Sequence, residues 1–590
     1  MSSADKQKGY NWYTVTEEEL NRFAPPFLRD VPETPNEVEC KLGGTWPTWV
    51  HGSFLRVGVG RFTVPLSKDD SKPRAVMQHL FDGLGLLHKF RMTQGRVYYM
   101  SRYTHDGVIK RAQEHGYLTS TRMGLNANTP LKDAQDPCSL LLGAQVGGPS
   151  NMIEHSKNRS NAFVQQSLYV PSGYAAPDSV NMNVQPRRGI HLPKDQNPYS
   201  RGIQSEDPFT EEILVHTDFN LLQVCDARTL EPKRLLNYMV IDPKLVGSGS
   251  CAHPPHDRKR GLTFNYLIDD SGVLFVFALN VASNPTALVW KSPLPCRTCY
   301  THALAMTDKY VVFVRNPVHM DLSDTTKGVA EMMVCEHDSP TEFYILDKRD
   351  GKHVGTYSVP NFYFFHIGNA YDYIDPKTGD VNIHVDIVSY RDEHYPYMDY
   401  SMSNLLDPKK PLQNGTLVRY QMDSVDKADP TKICRGSVAS AIAGLPCELP
   451  RVSKPASMDP NYRYVYGISG IGASAPGTEV PIGRLGNGLG AVHPTVYGSL
   501  FKSDWKTGLF KLWTPSNGES CPTEPIFIQR PGATDEDDGI VITITINREG
   551  THSILVGLDG KTFQEVARAD MPQVYALGPH GSFVEGDFGL

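Results

Sequence analysis

Ile540-Val541-Ile542-Thr543-Ile544-Thr545-Ile546 alternates β-branched apolar residues with threonine, the two-residue period expected of a half-buried strand. Beyond it lies Asp559-Gly560-Lys561-Thr562, a turn in which the Asp side chain accepts from the backbone ahead. The same turn chemistry recurs at Asp226-Ala227-Arg228-Thr229, Asp347-Lys348-Arg349-Asp350-Gly351, Asp375-Pro376-Lys377-Thr378-Gly379 and Asp504-Trp505-Lys506-Thr507-Gly508. Gly, where present, supplies the positive φ. Arg96 to Met100 and Tyr310 to Val314 are short, rich in β-branched and aromatic residues, and read as further strands. Repeated strand–turn–strand units at irregular spacing make the chain all-β and favour a propeller over a sandwich.

Helix is a minority. Thr16-Glu17-Glu18-Glu19 predicts a capping box opening a short N-terminal helix. From about residue 112 to 205, Gly, Pro, Asn and Ser accumulate, which predicts loops and a cap rather than blade. Asp535-Glu536-Asp537-Asp538 lacks the alternating oxygen ligands of a calcium loop and reads as a solvated hairpin. Although 590 residues would ordinarily suggest several domains, a propeller grows by radial repetition. Residues 1–590 therefore read as one propeller domain with a helical N-terminal segment and cap insertions.

The formal charge of −7 and the absence of a basic stripe argue against nucleic acid as a partner. Arg258-Lys259-Arg260 is the densest basic run and reads as a solvated turn. The polar stretch Met1 to Tyr10 has no signal-peptide core. The longest clean apolar run, Val273 to Leu279, is too short to span a bilayer. A cytoplasmic protein without a transmembrane helix is expected. Ten cysteines are too dilute for a disulfide framework, and Cys296 and Cys299, with no second pair, read as structural thiols.

Four histidines stand in apolar or Gly/Pro-rich settings: Ala252-His253-Pro254, Thr301-His302-Ala303, Phe364-Phe365-His366-Ile367-Gly368-Asn369-Ala370-Tyr371, and Gly578-Pro579-His580-Gly581. Brought together, they make an all-imidazole metal site, which suits iron, copper, nickel or zinc. His256, in Pro254-Pro255-His256, is a rival to His253. A metal-bound histidine usually donates its second N–H to a carboxylate. Asp218 in His216-Thr217-Asp218-Phe219-Asn220, Glu448 in Leu445-Pro446-Cys447-Glu448-Leu449-Pro450, and Glu524 in Pro522-Thr523-Glu524-Pro525 are the candidates.

At these residues the sequence resembles the carotenoid cleavage oxygenase family. The resemblance starts at Gly43-Gly44-Thr45-Trp46-Pro47, Gly52-Ser53-Phe54-Leu55-Arg56-Val57-Gly58 and His79-Leu80-Phe81-Asp82-Gly83, and runs through all four histidine motifs. It implies a seven-bladed β-propeller with a cap over a central iron site. His253, His302, His366 and His580 would hold a non-haem Fe2+, braced by Asp218, Glu448 and Glu524, with no catalytic residue beyond the metal centre. Asp218 stands where the family usually has Glu, so its backbone must sit closer or a water must intervene. Asp372 stands where the third motif usually has Glu.

The implied activity is dioxygenase cleavage of one conjugated carbon–carbon double bond of a carotenoid by O2, giving two carbonyl products. Thr217 to Gln223 and Thr229-Leu230-Glu231-Pro232 look closest to fungal members. Torulene, giving an apo-4′-carotenal, is favoured over central β-carotene cleavage to retinal. A stilbene-cleaving branch uses a Tyr and a Lys, for which Tyr103 and Lys110 are the nearby candidates; retinoid isomerisation is a further alternative. A membrane-borne substrate implies a peripheral lipid contact, for which Leu140-Leu141-Leu142 is the candidate.

Overall fold

The computed structural model describes residues 14–118, 123 and 174–586, apart from 195–196, 198, 203, 248, 270, 321–332 (330 excepted), 391–395, 408–414 and 471–497. Apart from two two-stranded ribbons, Thr63–Pro65 with Arg74–Val76 and Val318–Met320 with Met333–Cys335, the strands fall into seven radial blades. Five are separate four- or five-stranded sheets. The other two are fused into one seven-stranded sheet through Ser437–Arg451, a 15-residue strand whose pairing shifts register on both sides. Its residues 437–447 finish blade 5 against Gly415–Met422, and its residues 447–451 pair with Tyr464–Ser469 to open blade 6.

Both chain ends contribute to closure. The segment His580–Glu585 pairs with Gly52–Arg61 and becomes the innermost strand of blade 1. Lys41–Gly44 pairs with Glu565–Asp570 as the outermost strand of blade 7. Inner strands of successive blades touch around the axis: His580–Glu585 lies against both Gln185–Arg188 and Ile526–Gln529.

The sequence expectations hold at the turns. All five Asp side chains accept from the backbone two residues ahead: Arg228, Arg349, Lys377, Lys506 and Lys561 N–H donate at 2.8, 2.9, 2.8, 2.9 and 3.1 Å. The positive φ falls four residues after each Asp, at Leu230, Gly351, Gly379, Gly508 and Phe563. Gly560 is therefore not the residue that turns its hairpin. Leu230 and Phe563 take a conformation suited to glycine because their side chains are buried in the core, at 0% and 1% exposure. The N-terminal capping box is present in both directions, ahead of Glu17–Phe23.

Two expectations are corrected. The strand Gly539–Ile546 is buried on both faces, not one. It is an interior strand of its blade, paired along both edges, and its threonines find acceptors inside, Thr543 on Thr523 O at 2.8 Å and Thr545 on Glu519 at 3.3 Å. Within the predicted cap, Tyr174–Ala175 and Gln185–Arg188 are blade-2 strands, and Gln185–Arg188 lines the axis. Residues 119–122 and 124–173, with Leu140 to Leu142, lie outside the described residues. The acidic run lies in a hairpin loop as expected, with Asp535 exposed, and it is also ion-paired: Asp535 meets Lys561 at 2.7 Å, Asp537 meets Lys502 at 2.6 Å, and Asp538 meets Arg530 at 2.8 Å. Cys296 and Cys299 are free thiols, the latter pushed up to about 12 by burial.

Candidate metal centre

Each of the four motif histidines stands where the chain enters the innermost strand of a blade, so radial geometry aims all four rings at the axis. His253 precedes His256–Asp257 of blade 3, and His302 precedes Ala305–Met306 of blade 4. His366 adjoins Ile367–Ile374 of blade 5, and His580 opens the closing strand of blade 1. Their Nε2 atoms converge: 3.0 Å from His253 to His302, 3.1 Å from His253 to His580, and 3.1 Å from His366 to His580. All four ligand atoms lie within 4.8 Å of one another.

The opposite ring nitrogens face the acids named from sequence. His302 Nδ1 is 2.8 Å from Asp218 Oδ1, His366 Nδ1 is 2.6 Å from Glu448 Oε2, and His580 Nδ1 is 3.0 Å from Glu524 Oε1. With Nδ1–H donating outward, each of these three Nε2 atoms presents a lone pair inward. Lone pairs facing one another across about 3 Å repel unless a cation sits among them, so the donor set fits a metal ion. The short Asp218 side chain reaches its histidine directly, and Ser250 N–H donating to Asp218 O at 3.0 Å draws that turn toward the His253 segment. The rival, His256, is excluded: it is exposed and bonded to Thr263 at 3.0 Å.

Burial keeps the His253 and His580 rings neutral. His253 is held well below the ordinary imidazole range by burial first and by the neighbouring His580, His302 and His366 rings second. His580 is lowered chiefly by burial, against the pull of Glu524. Burial alone would raise the Glu524 carboxyl, but Arg451 and His580 outweigh it and hold it well below the usual carboxylate range. Neutral imidazole and ionised carboxylate are the forms a cation needs.

Sequence reasoning missed the groups behind the acids. Tyr390 OH donates to Glu448 Oε1 at 2.7 Å, and the Leu449 N–H donates to Glu448 Oε2 at 2.6 Å, with Leu449 at a φ of 50°. Tyr300 OH lies 3.1 Å from His302 Nδ1 and bonds the Asp218 carboxylate. Arg451 Nε donates to Glu524 Oε1 at 2.7 Å. Only Tyr300 carried a local signal, two residues before a ligand-type histidine. An aromatic wall also meets the cluster: Phe365 lies 6.0 Å from both His302 and His366, and stacks edgewise on Tyr397 at 4.4 Å and on Phe81 at 6.2 Å. Tyr103 gives its hydroxyl to Val31 O, and Lys110 is exposed on the helix Asp106–His115, so neither supports a phenol clamp.

The model of the family described as Retinal pigment epithelial membrane protein matches residues 28–585. The chain belongs to this carotenoid cleavage oxygenase family. The carotenoid dioxygenase of Neurospora crassa is 24% identical over 590 residues, covering 94% of this chain and 89% of that protein. The torulene dioxygenase of Gibberella fujikuroi is 26% identical over 580 residues, covering 92% and 90%. The β,β-carotene 15,15′-dioxygenase of Rattus norvegicus is 26% identical over 610 residues, covering 95% and 91%. Among solved structures, cobalt-substituted Synechocystis ACO superposes with a TM-score of 0.65 at 19% identity, covering 95% of this chain and 98% of that one. This carotenoid cleavage oxygenase is an enzyme of the dioxygenase class. Among the described residues, no helix is long and apolar enough to cross a membrane.

Proposed function

We propose that the chain cleaves a conjugated carotenoid double bond, with torulene as substrate and an apo-4′-carotenal as product, at a non-haem Fe2+ held by His253, His302, His366 and His580. The observation that carries the reading is the convergence of four Nε2 atoms, three of them on rings whose Nδ1 faces a carboxylate. Bound Fe2+ would supply the redox chemistry by which O2 adds across the double bond.

The chain's own residues do the rest. Asp218, Glu448 and Glu524 fix the tautomer and aim of His302, His366 and His580. Phe365, beside His302 and His366, packs edge to face with Phe81, Tyr397 and Tyr400, an apolar surface on which a polyene can lie with water excluded. Two fungal relatives, one of them named for torulene, support the substrate choice.

The test is aerobic and anaerobic incubation of iron-loaded enzyme with torulene, β-carotene and resveratrol, with products identified by mass spectrometry. O2-dependent formation of the apo-4′-carotenal from torulene is expected. Retinal from β-carotene, or stilbene scission, in its place would overturn the substrate, and geometric isomerisation without O2 would overturn the reaction.

A further inference from the structure

Glu524 is distinguished by what stands behind it. Glu448 is backed by a tyrosine hydroxyl and a backbone N–H, and Asp218 is bonded by Tyr300. Glu524, 2% exposed, also takes a backbone N–H, from Gly581 on Oε2 at 2.9 Å, but its other oxygen meets a guanidinium: Arg451 Nε binds Oε1, the oxygen that also faces His580 Nδ1. Arg451 is itself fixed, its Nη2 donating to Gly581 O at 3.2 Å and to Gln185 Oε1 at 3.4 Å. A second guanidinium stands behind the same corner. Arg56 is fully buried, and its acceptors are all neutral: Glu524 O at 2.9 Å, Gly578 O at 3.0 Å, Pro579 O at 3.1 Å and Tyr575 OH at 3.2 Å.

We infer that Arg451 is a positioning residue that, acting through Glu524, cancels one of the three carboxylate charges behind the histidines and so favours a divalent over a trivalent ion at the centre. The inference rests on the metal-centre reading above. A fixed cation repels a bound ion in proportion to the ion's charge, and does so strongly where water is excluded. It therefore penalises the ferric state more than the ferrous one. Arg56 acts with the same sign, but it also ties together the backbone on either side of His580 and Glu524. Arg451, with a side chain 31% exposed, is the cleaner residue to change.

The experiment loads the full chain with Fe2+ under anaerobic conditions, measures iron stoichiometry and thermal stability, and then follows the ferric signal by electron paramagnetic resonance in a mediated redox titration. Arg451→Gln keeps a hydrogen-bond donor but loses the charge, and its midpoint should fall, with faster loss of ferrous iron in air. Arg451→Lys keeps the charge and should stay near the unaltered protein. Glu524→Gln leaves the guanidinium unopposed and should shift the midpoint upward, and the double variant should fall between the two single ones. Equal shifts for Arg451→Gln and Arg451→Lys, or none for either, would overturn the inference. If Arg451→Gln does not fold, Arg451→Met takes its place: a lowered midpoint supports the inference and an unchanged one overturns it. Unaltered protein that takes up no iron would sink the metal-centre reading, and this inference with it.

Discussion

At the residue scale the site follows from a division of labour within each imidazole, one nitrogen inward and one outward. His366→Ala should lose bound metal and turnover together, measured by elemental analysis and by product formation on the same sample. Glu524→Gln should keep part of its metal while turnover drops roughly 10–100-fold, the usual scale for a ligand's supporting partner. A different histidine contributes to acid stability. His79 is fully buried, with Phe81 N–H donating to its Nδ1 at 3.2 Å and Tyr397 O accepting from its Nε2 at 2.8 Å. That pair of bonds suits only the neutral ring, and burial lowers its pKa to about 4. An unfolded imidazole titrates near 6.5, so the unfolded chain takes up the proton first. The stabilisation from His79 is complete above pH 6.5 and declines by about 1.4 kcal/mol per unit as pH falls toward 4. Denaturant titrations at pH 7.5 and 5 should show the difference, and His79→Gln should shrink it. The ligand-type histidines and their acids were legible because each sits in a short, distinctive motif. Arg451 and Tyr390 were not, because their roles depend on pairing across blades that no local pattern encodes.

At the scale of single elements, the hairpin turn is the unit the sequence reveals best. An Asp at the corner announces it, and the bond it accepts from two residues ahead is local. What the sequence hides is which residue carries the left-handed backbone, since Leu230 and Phe563 do so where Gly351, Gly379 and Gly508 would lead a reader to look for glycine. Gly508 has open space around the position of a Cβ. Gly508→Ala should therefore destabilise by about 1 kcal/mol through backbone strain alone, measurable as a lowered denaturation midpoint with unchanged metal content. The burial of Gly539–Ile546 was misread for a related reason. Threonine marks a solvent face only when no internal acceptor is available, and here Thr523 and Glu519 supply one.

At the scale of the whole molecule, the all-β class and the repeated hairpins could be read from the chain, whereas the fusion of two blades through Ser437–Arg451 could not, because one strand serves two sheets. The closing strand joins fold and site. Deleting 580–590 removes both a ring closure and a nitrogen donor, so it should abolish cooperative unfolding as well as metal binding. His580→Ala should spare the first and lose the second; calorimetry alongside metal analysis separates the two. His580 lies 214 residues beyond His366 along the chain. During synthesis, blades 3, 4 and 5 emerge and can pack long before the strand that completes the nitrogen set exists. With the metal held as proposed, a growing polypeptide has no finished coordination sphere to fill, and cofactor loading would report that the circle has been joined.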